Sequence, residues 1–245
     1  HGKIKSGQIC AANGEVAVQS LELACEAVRK GTCHALVTAP LHKQAIKAAG
    51  YPFEGHTEFL QHKDKSKKVV MLLVGGGLKV ALLTRHVAYF NVPSLINKKE
   101  IIAVTKIVDE ALKKYWKSKN HKIGVLGLNP HASDGGLFGQ EEKLIIEPAI
   151  KALQKLKLNV SGPFAPDTAF HLALKENWDA EICMYHDQGL IPLKTLAFDS
   201  GVNITLGLSF IRTSPDHGTA FDIVGQGIAS ESSMVAAIEQ ALLMI

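Results

Sequence analysis

Short apolar runs alternate with helical patterns along most of this chain, and the alternation limits the folds open to it. The apolar runs have the length of buried strands and lie at residues 34–39, 69–77, 78–84, 122–128, 158–164, 182–186 and 203–209. The helical patterns lie at residues 15–30, 42–49, 97–115, 141–156 and 232–244. Strands that alternate with helices predict an α/β fold with a mainly parallel or mixed sheet.

Two local signals predict where helices begin. Asn97 is followed three residues later by Glu100, and this capping box starts a long helix. Thr57 is predicted to cap a short helix that begins at Glu58, where free backbone N–H groups can hold an anion such as phosphate. On the residues alone, the alternative is that Thr57 only caps this helix and His56 only packs.

Composition and charge exclude several classes of protein. The 245 residues carry a net charge of +4 from lysines spread along the chain, and aromatic residues make up 6%. The densest basic run, at residues 63–68, is interrupted by Asp64 and Ser66, so we expect a solvated loop and no nucleic-acid partner. No apolar run approaches the length of a membrane span. The four cysteines form no C-x-x-C pair, which fits a reducing cytoplasm.

Residues 185–227 hold an unusual density of polar and ionisable side chains between apolar runs and glycines. These side chains are His186, Asp187, Lys194, Asn203, Arg212, Asp216, His217 and Asp222. Burying a charge is costly unless it is paired or bound to something, and ionisable groups with perturbed pKa values cluster at functional sites. The alternative is a polar loop between two strands. We favour a functional site, because two other loops carry histidines in the same context.

Three histidines, His86, His131 and His186, each follow an apolar strand-like run directly or within a few residues. In open α/β sheets the ligand site lies beyond the carboxyl ends of the strands, so three strands can deliver three imidazoles to one region. Three histidines with open positions left for substrate suit a catalytic Zn²⁺ or a similar divalent ion. A single histidine at a strand end is more often a hydrogen-bonded loop residue, and the sequence has no local metal signature.

The charges near these histidines suit a phosphorylated acid as substrate. Lys194 and Arg212 can bind carboxylate or phosphate, and arginine does so with a bidentate fork. Their apolar flanks argue against the alternative of two surface charges. Asn203 can orient a polar substrate. Asp187, beside a predicted metal ligand, can hold that ligand in place or accept a proton.

Four motifs resemble the 4-hydroxythreonine-4-phosphate dehydrogenase family of vitamin B6 synthesis. They are VTAPLHK at residues 37–43, GHTEFL at 55–60, LNPHASDGG at 128–136, and YHDQG at 185–189 followed by Lys194 and GVNITLGLSFIRTSPDHGTA. The resemblance runs in the same order over nearly the whole chain. It implies a two-domain architecture similar to isopropylmalate dehydrogenases, with the active site in a cleft. We place one domain at residues 1–55 with 205–245 and the other, which carries most metal and substrate residues, at 56–204.

The resemblance also implies roles for individual residues. His86, His131 and His186 match the metal ligands, and His56, Thr57, Lys194, Asn203 and Arg212 match substrate contacts. Lys194, Asp187 and Asp167 are the candidate catalytic groups, with Asp167 in GPFAPDT. The segment DHGTAFDIVG resembles the adenosine-binding loop of isopropylmalate and isocitrate dehydrogenases, so Asp216, His217, Gly218 and Asp222 are assigned to NAD or NADP. No G-x-G-x-x-G follows a strand, which argues against a Rossmann site.

The function that the resemblance implies is NAD-dependent, metal-assisted oxidation and decarboxylation of 4-phosphohydroxy-L-threonine. The metal would be zinc, magnesium or cobalt, and the enzyme a cytoplasmic homodimer whose site uses both chains. One alternative is a related decarboxylating dehydrogenase of phosphorylated threonate or erythronate, or of a cyclic diol acid. The family's first strand and GDPAGIG-like segment are absent from this sequence. That departure motivates a further alternative, a catalytically impaired remnant that binds metal.

Overall fold

The computed structural model describes residues 4–245, in which nine α-helices and eight β-strands follow one another. In chain order they are α1 (Ala11–Arg29), β1 (Ala35–Val37), α2 (Lys43–Ala48), α3 (His56–Asp64), β2 (Val70–Gly75), β3 (Leu78–Leu82), α4 (Val92–Leu95), α5 (Lys98–Tyr115), β4 (Ile123–Leu126), α6 (Glu147–Lys155), β5 (Val160–Phe164), α7 (Pro166–Lys175), β6 (Ala180–Cys183), α8 (His186–Ala197), β7 (Val202–Leu206), β8 (Ile211–Pro215) and α9 (Ser232–Met244). Among the described helices, none is long and apolar enough to cross a membrane.

The chain divides into two compact units. Unit 1 combines the chain up to Val69 with Val202–Ile245, and unit 2 is Val70–Gly201. The sequence analysis places the boundaries at residues 55 and 204, whereas the structure keeps residues 56–69 in unit 1. The reason is packing, because Phe59 and Leu60 of α3 are buried in the apolar core of unit 1.

In unit 1, strand β8 lies between β1 and β7. It runs parallel to β1 and antiparallel to β7, and Asn203 of β7 stands opposite Ser214 of β8. Helix α9 is tied to β8 by a hydrogen bond in which Thr213 Oγ1 donates to the Ala237 carbonyl at 2.7 Å. The apolar core consists of Val18, Leu21, Cys25, Val28, Leu36, Ile46, Phe59, Leu60, Val69, Leu208 and Phe210.

Unit 2 contains the strand order β2-β3-β6-β4-β5. Strands β2 and β3 form an antiparallel hairpin whose turn is made by Gly76 and Gly77, both with positive φ. From β3 onward all neighbours are parallel. The carboxyl ends of β3, β6, β4 and β5 therefore lie at the same edge, and the segments after those ends carry the predicted histidines.

Several elements form where the sequence predicts them. Helices α1, α5 and α9 occupy the predicted helical segments, and α9 has the predicted bounds. At the start of α5, Asn97 Oδ1 accepts a hydrogen bond from the Glu100 backbone N–H at 3.0 Å, as the capping box predicts. The mixed, mainly parallel sheet is also confirmed.

The predicted start of α3 is wrong by two residues. The helix begins at His56, its N-cap is Gly55, and the Gly55 carbonyl accepts a hydrogen bond from the Phe59 N–H at 3.2 Å. Thr57 therefore does not cap the helix but lies within its first turn, where its side chain is 8% exposed. Because Thr57 is buried next to the core residue Phe59, the helix begins earlier than the polar residues indicate.

The segment around His186 also differs from the prediction. Strand β6 ends at Cys183, and His186 is the first residue of α8, which the sequence analysis does not predict. Gly189 and Pro192 lie inside this helix, and both residues normally weaken helices. At Gly189 a Cβ atom would stand 2.3 Å from Val80 Cγ1, so close packing of α8 on β3 explains the glycine. Strand β8 and helix α7 are likewise absent from the predicted elements.

Candidate active site

Two of the three predicted metal ligands lie side by side in unit 2. His86 follows β3, His186 begins α8 after β6, and their ring centroids are 5.6 Å apart. They meet because β3 and β6 are adjacent parallel strands whose carboxyl ends share one edge. Each side chain lines a cavity of about 180 Å³ that is also bordered by Tyr89, Tyr185 and Asp187.

Asp187 fixes the orientation of the His186 ring. Its Oδ1 atom accepts a hydrogen bond from His186 Nδ1 at 2.6 Å. Nδ1 therefore carries a proton, which leaves Nε2 as the ring nitrogen that can donate its electron pair to a metal. A carboxylate that holds the second nitrogen of a histidine is the usual partner of a metal-binding imidazole.

His131, the third predicted ligand, lies on a loop after β4. Its side chain is 65% exposed, and its Nδ1 atom is 3.8 Å from Asp167 Oδ2 at the start of α7. The five residues from His131 to Gly135 all have φ between +43° and +68°, so they form a left-handed turn. Left-handed backbone is costly for residues other than glycine and persists where surrounding contacts hold it.

The pair of His86 and His186 fits a shared divalent ion. With metal–nitrogen distances of about 2 Å, two imidazoles on one ion have ring centroids within roughly 6 Å of each other. The observed separation of 5.6 Å satisfies this condition. Within residues 4–245, however, a single chain brings together no group of three histidine, cysteine or acidic side chains that would hold a metal. One chain therefore brings together two of the three predicted ligands, and His131 is not brought to them.

Unit 1 holds a buried cation. Arg212 of β8 is 2% exposed, so it is not a surface charge. Its Nη1 donates to Thr205 Oγ1 at 3.0 Å and its Nη2 donates to Thr38 Oγ1 at 2.7 Å. Burial lowers the pKa of Arg212 to about 10, and the Glu58 carboxylate offsets part of that effect. The two hydroxyls that hold the guanidinium are neutral, so its positive charge acts on the Glu58 carboxylate and on any anionic ligand that binds here.

Two buried polar atoms near this cation have no hydrogen-bond partner among the described residues. They are Nε of Arg212 and Oδ1 of Asn203. In the β7–β8 ladder, Asn203 lies two residues from Thr205, on the same face of the strand as the hydroxyl that holds Arg212. Buried polar groups are almost always paired, so an unpaired donor and an unpaired acceptor on this face indicate that ordered water or a polar ligand binds here.

His56 lies beside Arg212 and is neutral. Burial, together with the neighbouring Arg212 charge, lowers the pKa of His56 to about 3, although a hydrogen bond to the Ala39 backbone acts in the opposite direction. His56 and Thr38 line a cavity of about 260 Å³ between α1 and β1. A neutral imidazole at the start of α3 can both donate and accept hydrogen bonds. Of these two residues, only Arg212 carries a positive charge.

The other predicted residues are distributed between the units. Lys194, on α8 of unit 2, is half-buried, and its Nζ lies 5.9 Å from the centroid of the Phe198 ring. Asp167 is 58% exposed. In unit 1, His217 Nδ1 donates to the Gly218 carbonyl at 2.9 Å, and Asp222 is exposed in a short 3-10 turn. That turn is held by Phe221, whose ring stacks on His42 at 5.1 Å.

Sequence reasoning misses the residues that support these groups. Thr38 and Thr205 carry no charge, but Thr38 lies in the quoted VTAPLHK segment and Thr205 lies in the quoted GVNITLGLSFIRTSPDHGTA segment. Gln188 lies in YHDQG, and it is fully enclosed at the edge of the sheet. Position in a quoted motif is the signal that could have marked Thr38, Thr205 and Gln188. The contacts that these residues make are revealed by the structure.

Comparison with known proteins agrees with the motif resemblance. The family described as pyridoxal phosphate biosynthetic protein PdxA matches residues 1–241. A 4-hydroxythreonine-4-phosphate dehydrogenase from Prosthecochloris aestuarii is 47% identical over 240 residues, which cover 97% of this chain and 71% of the relative. The crystal structure of a 4-hydroxythreonine-4-phosphate dehydrogenase from Klebsiella pneumoniae is 39% identical, with a TM-score of 0.91 over 99% of this chain and 73% of that one.

Some solved structures share the fold of this chain at lower sequence identity. A terephthalate 1,2-cis-dihydrodiol dehydrogenase from Burkholderia xenovorans is 28% identical, with a TM-score of 0.73 over 98% of this chain and 76% of that one. An isocitrate dehydrogenase from Methylococcus capsulatus is 12% identical, with a TM-score of 0.50 over 94% and 80% of the two chains, and shares the fold alone. The predicted likeness to decarboxylating dehydrogenases is thus confirmed at the level of fold. The chain belongs to the PdxA family of pyridoxal phosphate biosynthetic proteins.

Proposed function

We propose that this chain is an oxidoreductase that converts 4-phosphohydroxy-L-threonine to 3-amino-2-oxopropyl phosphate and CO₂ with reduction of NAD, in pyridoxal phosphate synthesis. The observation that carries this proposal is the family match over residues 1–241. The buried Arg212 supports it independently, because its charge suits an anionic substrate.

The substrate anion is assigned to unit 1. Arg212 offers its guanidinium, with Nε unpaired, and Asn203 offers an unpaired acceptor to a hydroxyl or ammonium group. His56 is uncharged, so it contributes a hydrogen bond without repelling the ammonium of an amino acid. Thr57 lies in the first turn of α3, where the helix N-terminus favours negative charge.

The chemistry assigned to unit 2 needs a base and a proton donor. Oxidation of the secondary alcohol sends a hydride from carbon to NAD and the hydroxyl proton to a base. The resulting β-keto acid loses CO₂, and a proton returns to the carbon. Asp187 is already hydrogen-bonded to His186, which favours an orienting role for it. Asp167 remains the exposed carboxylate candidate for the base, and Lys194 the candidate proton donor.

A divalent metal is assigned to His86, His131 and His186. When bound, such an ion acts as a Lewis acid toward the substrate hydroxyl and the carbonyl that replaces it. Because one chain supplies only the His86 and His186 pair, we propose that His131 comes from the second chain of a homodimer. Tyr89 lines the cavity of this pair and is 71% exposed, and the next residue, Phe90, is 92% exposed, so this segment suits contact with a second chain.

A cyclic diol acid is the second candidate substrate class, supported by the structural likeness to the dihydrodiol dehydrogenase. The lower identity to that protein, 28% against 39% for the Klebsiella pneumoniae enzyme, favours the phosphorylated substrate. The cofactor is assigned to the segment with Asp216, His217, Gly218 and Asp222. The exposed carboxylate of Asp222 is the candidate partner for the ribose hydroxyl groups of NAD or NADP.

The test is incubation of the purified chain with 4-phosphohydroxy-L-threonine, NAD and Zn²⁺, Mg²⁺ or Co²⁺ while NADH and CO₂ are measured together. We expect equal amounts of both products and about one metal per chain by elemental analysis. His131→Ala should lose the metal. Metal binding without NADH from any substrate would instead support the impaired remnant, and metal content unchanged in His131→Ala would refute the ligand assignment.

A further inference from the structure

A buried chain of hydrogen bonds joins the ends of three neighbouring strands in unit 2. Thr84 Oγ1, just after β3, donates to the Met184 carbonyl at 2.7 Å, and the Met184 N–H, just after β6, donates to Gln188 Oε1 at 2.7 Å. Gln188 Nε2 then donates to the carbonyl of Gly127, just after β4, also at 2.7 Å. Gln188 is 6% exposed, so water competes little for these bonds.

Glu142 extends this hydrogen-bond network beyond the end of β4. It lies in a π-helical turn before α6 and is 1% exposed. Its Oε1 accepts from the backbone N–H groups of Leu128 and Asn129 at 2.8 Å, and its Oε2 accepts from Asn129 Nδ2 at 2.9 Å. Burial alone would raise the pKa of Glu142, but the hydrogen bonds, chiefly from Asn129, hold it below its ordinary value.

Each strand end in this network leads directly to a predicted metal ligand. His86 comes two residues after Thr84, and His186 comes two residues after Met184. His131 comes two residues after Asn129 and opens the left-handed turn. That turn contains four consecutive residues other than glycine with positive φ, so its conformation has to be imposed by contacts at its ends.

We infer that Gln188 and Glu142 are positioning residues, which hold the segments of His86, His186 and His131 in fixed places relative to one another. Gln188 connects the segments of His86 and His186 to the start of the loop that carries His131. Glu142, which also belongs to unit 2, holds the start of the same loop through its hydrogen bonds. The inference rests on the proposed function for the identity of the metal ligands. The hydrogen-bond network itself does not depend on that proposal.

The experiment compares Gln188→Met with Gln154→Met. Methionine has nearly the length of glutamine but forms none of its hydrogen bonds. Gln154 is the control for the hydrogen bond, because its Nε2 also donates to a backbone carbonyl in unit 2, that of Val160 at 2.9 Å, although its side chain is exposed and that of Gln188 is buried. Two quantities are measured: amide hydrogen exchange of residues 128–139 in metal-free protein, and Co²⁺ affinity by calorimetry.

We expect Gln188→Met to speed exchange across residues 128–139 about tenfold and to weaken Co²⁺ binding about 10- to 100-fold, the usual cost of losing a group that orients metal ligands. Gln154→Met should change neither quantity. Gln188→Glu keeps an acceptor for the Met184 N–H, and when its carboxyl group is ionised it offers no donor to the Gly127 carbonyl, so at high pH it should speed exchange at residues 128–139 while leaving exchange at 84–87 unchanged. This variant also serves if Gln188→Met does not fold.

Glu142 gives a second, graded comparison. Glu142→Gln can retain the two backbone hydrogen bonds and should weaken Co²⁺ binding less than Glu142→Leu, which removes them all. Exchange and Co²⁺ affinity of Gln188→Met equal to those of Gln154→Met would overturn the inference and leave the proposed function standing. A wild-type chain that binds no divalent metal would instead refute the proposed metal site. In that case, exchange of Gln188→Met equal to that of Gln154→Met would also refute the positioning role of Gln188.

Discussion

The imidazoles of His86 and His186 come together in one chain, with ring centroids 5.6 Å apart, although they follow different strands. The parallel pairing of β3 and β6 brings them to the same edge of the sheet. His131 follows β4, on the other side of β6, and contacts Asp167 instead. The predicted set of three ligands therefore separates into a pair and a single residue, and this separation determines which mixed dimers should be active if the proposed homodimer forms.

Mixed dimers test whether His131 comes from the second chain. A His131→Ala chain keeps the pair, and a His86→Ala chain keeps His131, so a dimer of the two contains one complete set of ligands. We expect both variants alone to be inactive and the verified mixed dimer to recover up to about half of wild-type activity, with one metal bound per dimer.

The control for this experiment is a mixture of His86→Ala with His186→Ala. Both changes affect the same pair, so no complete set forms and activity should stay absent. Recovery in this control together with none in the first mixture would show that the pair, rather than His131, is divided between chains. Metal content by elemental analysis provides a readout that does not depend on turnover.

Arg212→Lys should lower kcat/KM for the phosphorylated substrate by about tenfold or more. Lysine keeps the positive charge but loses the planar fork, together with at least one of the hydrogen bonds to Thr38 and Thr205. Arg29→Lys is the matched control, since Arg29 is an exposed arginine of unit 1 that donates to the Lys63 carbonyl. Equal activity of both variants and the wild-type chain would remove Arg212 from substrate binding.

His56 should make folding less favourable as the pH falls. Its pKa is about 3 in the folded chain, against an ordinary value of 6.5, so below pH 6.5 the unfolded chain takes up a proton that the folded chain does not. Stability is lost across this window by up to about 1.4 kcal/mol per pH unit. His56→Gln should flatten the pH dependence of the free energy of unfolding in urea. Exposed His171→Gln should leave it unchanged, and an identical slope in both variants would contradict the assignment.

Glu181 should act in the opposite direction. It is fully buried on β6, its Oε2 accepts from the Lys79 N–H, and burial raises its pKa to about 8 from an ordinary 4.5. The folded chain therefore keeps a proton that the unfolded chain loses, and stability falls as the pH rises from 4.5 to 8. Glu181→Gln mimics the protonated acid, so it should raise the Tm at pH 8 and above. Exposed Glu110→Gln is the control, and a lower Tm of Glu181→Gln at pH 8 would be the contrary result.

The sequence predicts the fold class and the elements with strong periodicity. Helix α5 is an example, because its capping box and its apolar stripe both predict a helix over the same residues. Helix α8 is not predicted, since Gly189 and Pro192 lower its helical propensity. Its stability comes from close packing on β3, which local sequence does not encode.

Like the fold, the candidate site can be predicted in part from local sequence, and the rest of it depends on long-range contacts. The three strand-end histidines can be read from the sequence, and the meeting of His86 with His186 follows from a parallel sheet. The separation of His131 from that pair depends on strand order and on the left-handed turn, and neither is visible in the residues. Arg212 is recognised by its apolar flanks, but its two threonine partners come from other strands or their ends and require the fold.

The most direct measurement of the central claim is steady-state NADH formation from 4-phosphohydroxy-L-threonine compared with unphosphorylated 4-hydroxythreonine. If the buried guanidinium binds an anion of the substrate, removal of the phosphate should lower kcat/KM by about a hundredfold. Part of that loss should appear in kcat, because a remote anion also helps to orient the reacting carbon. Equal kcat/KM values for the two substrates would contradict the claim and favour a cyclic diol acid.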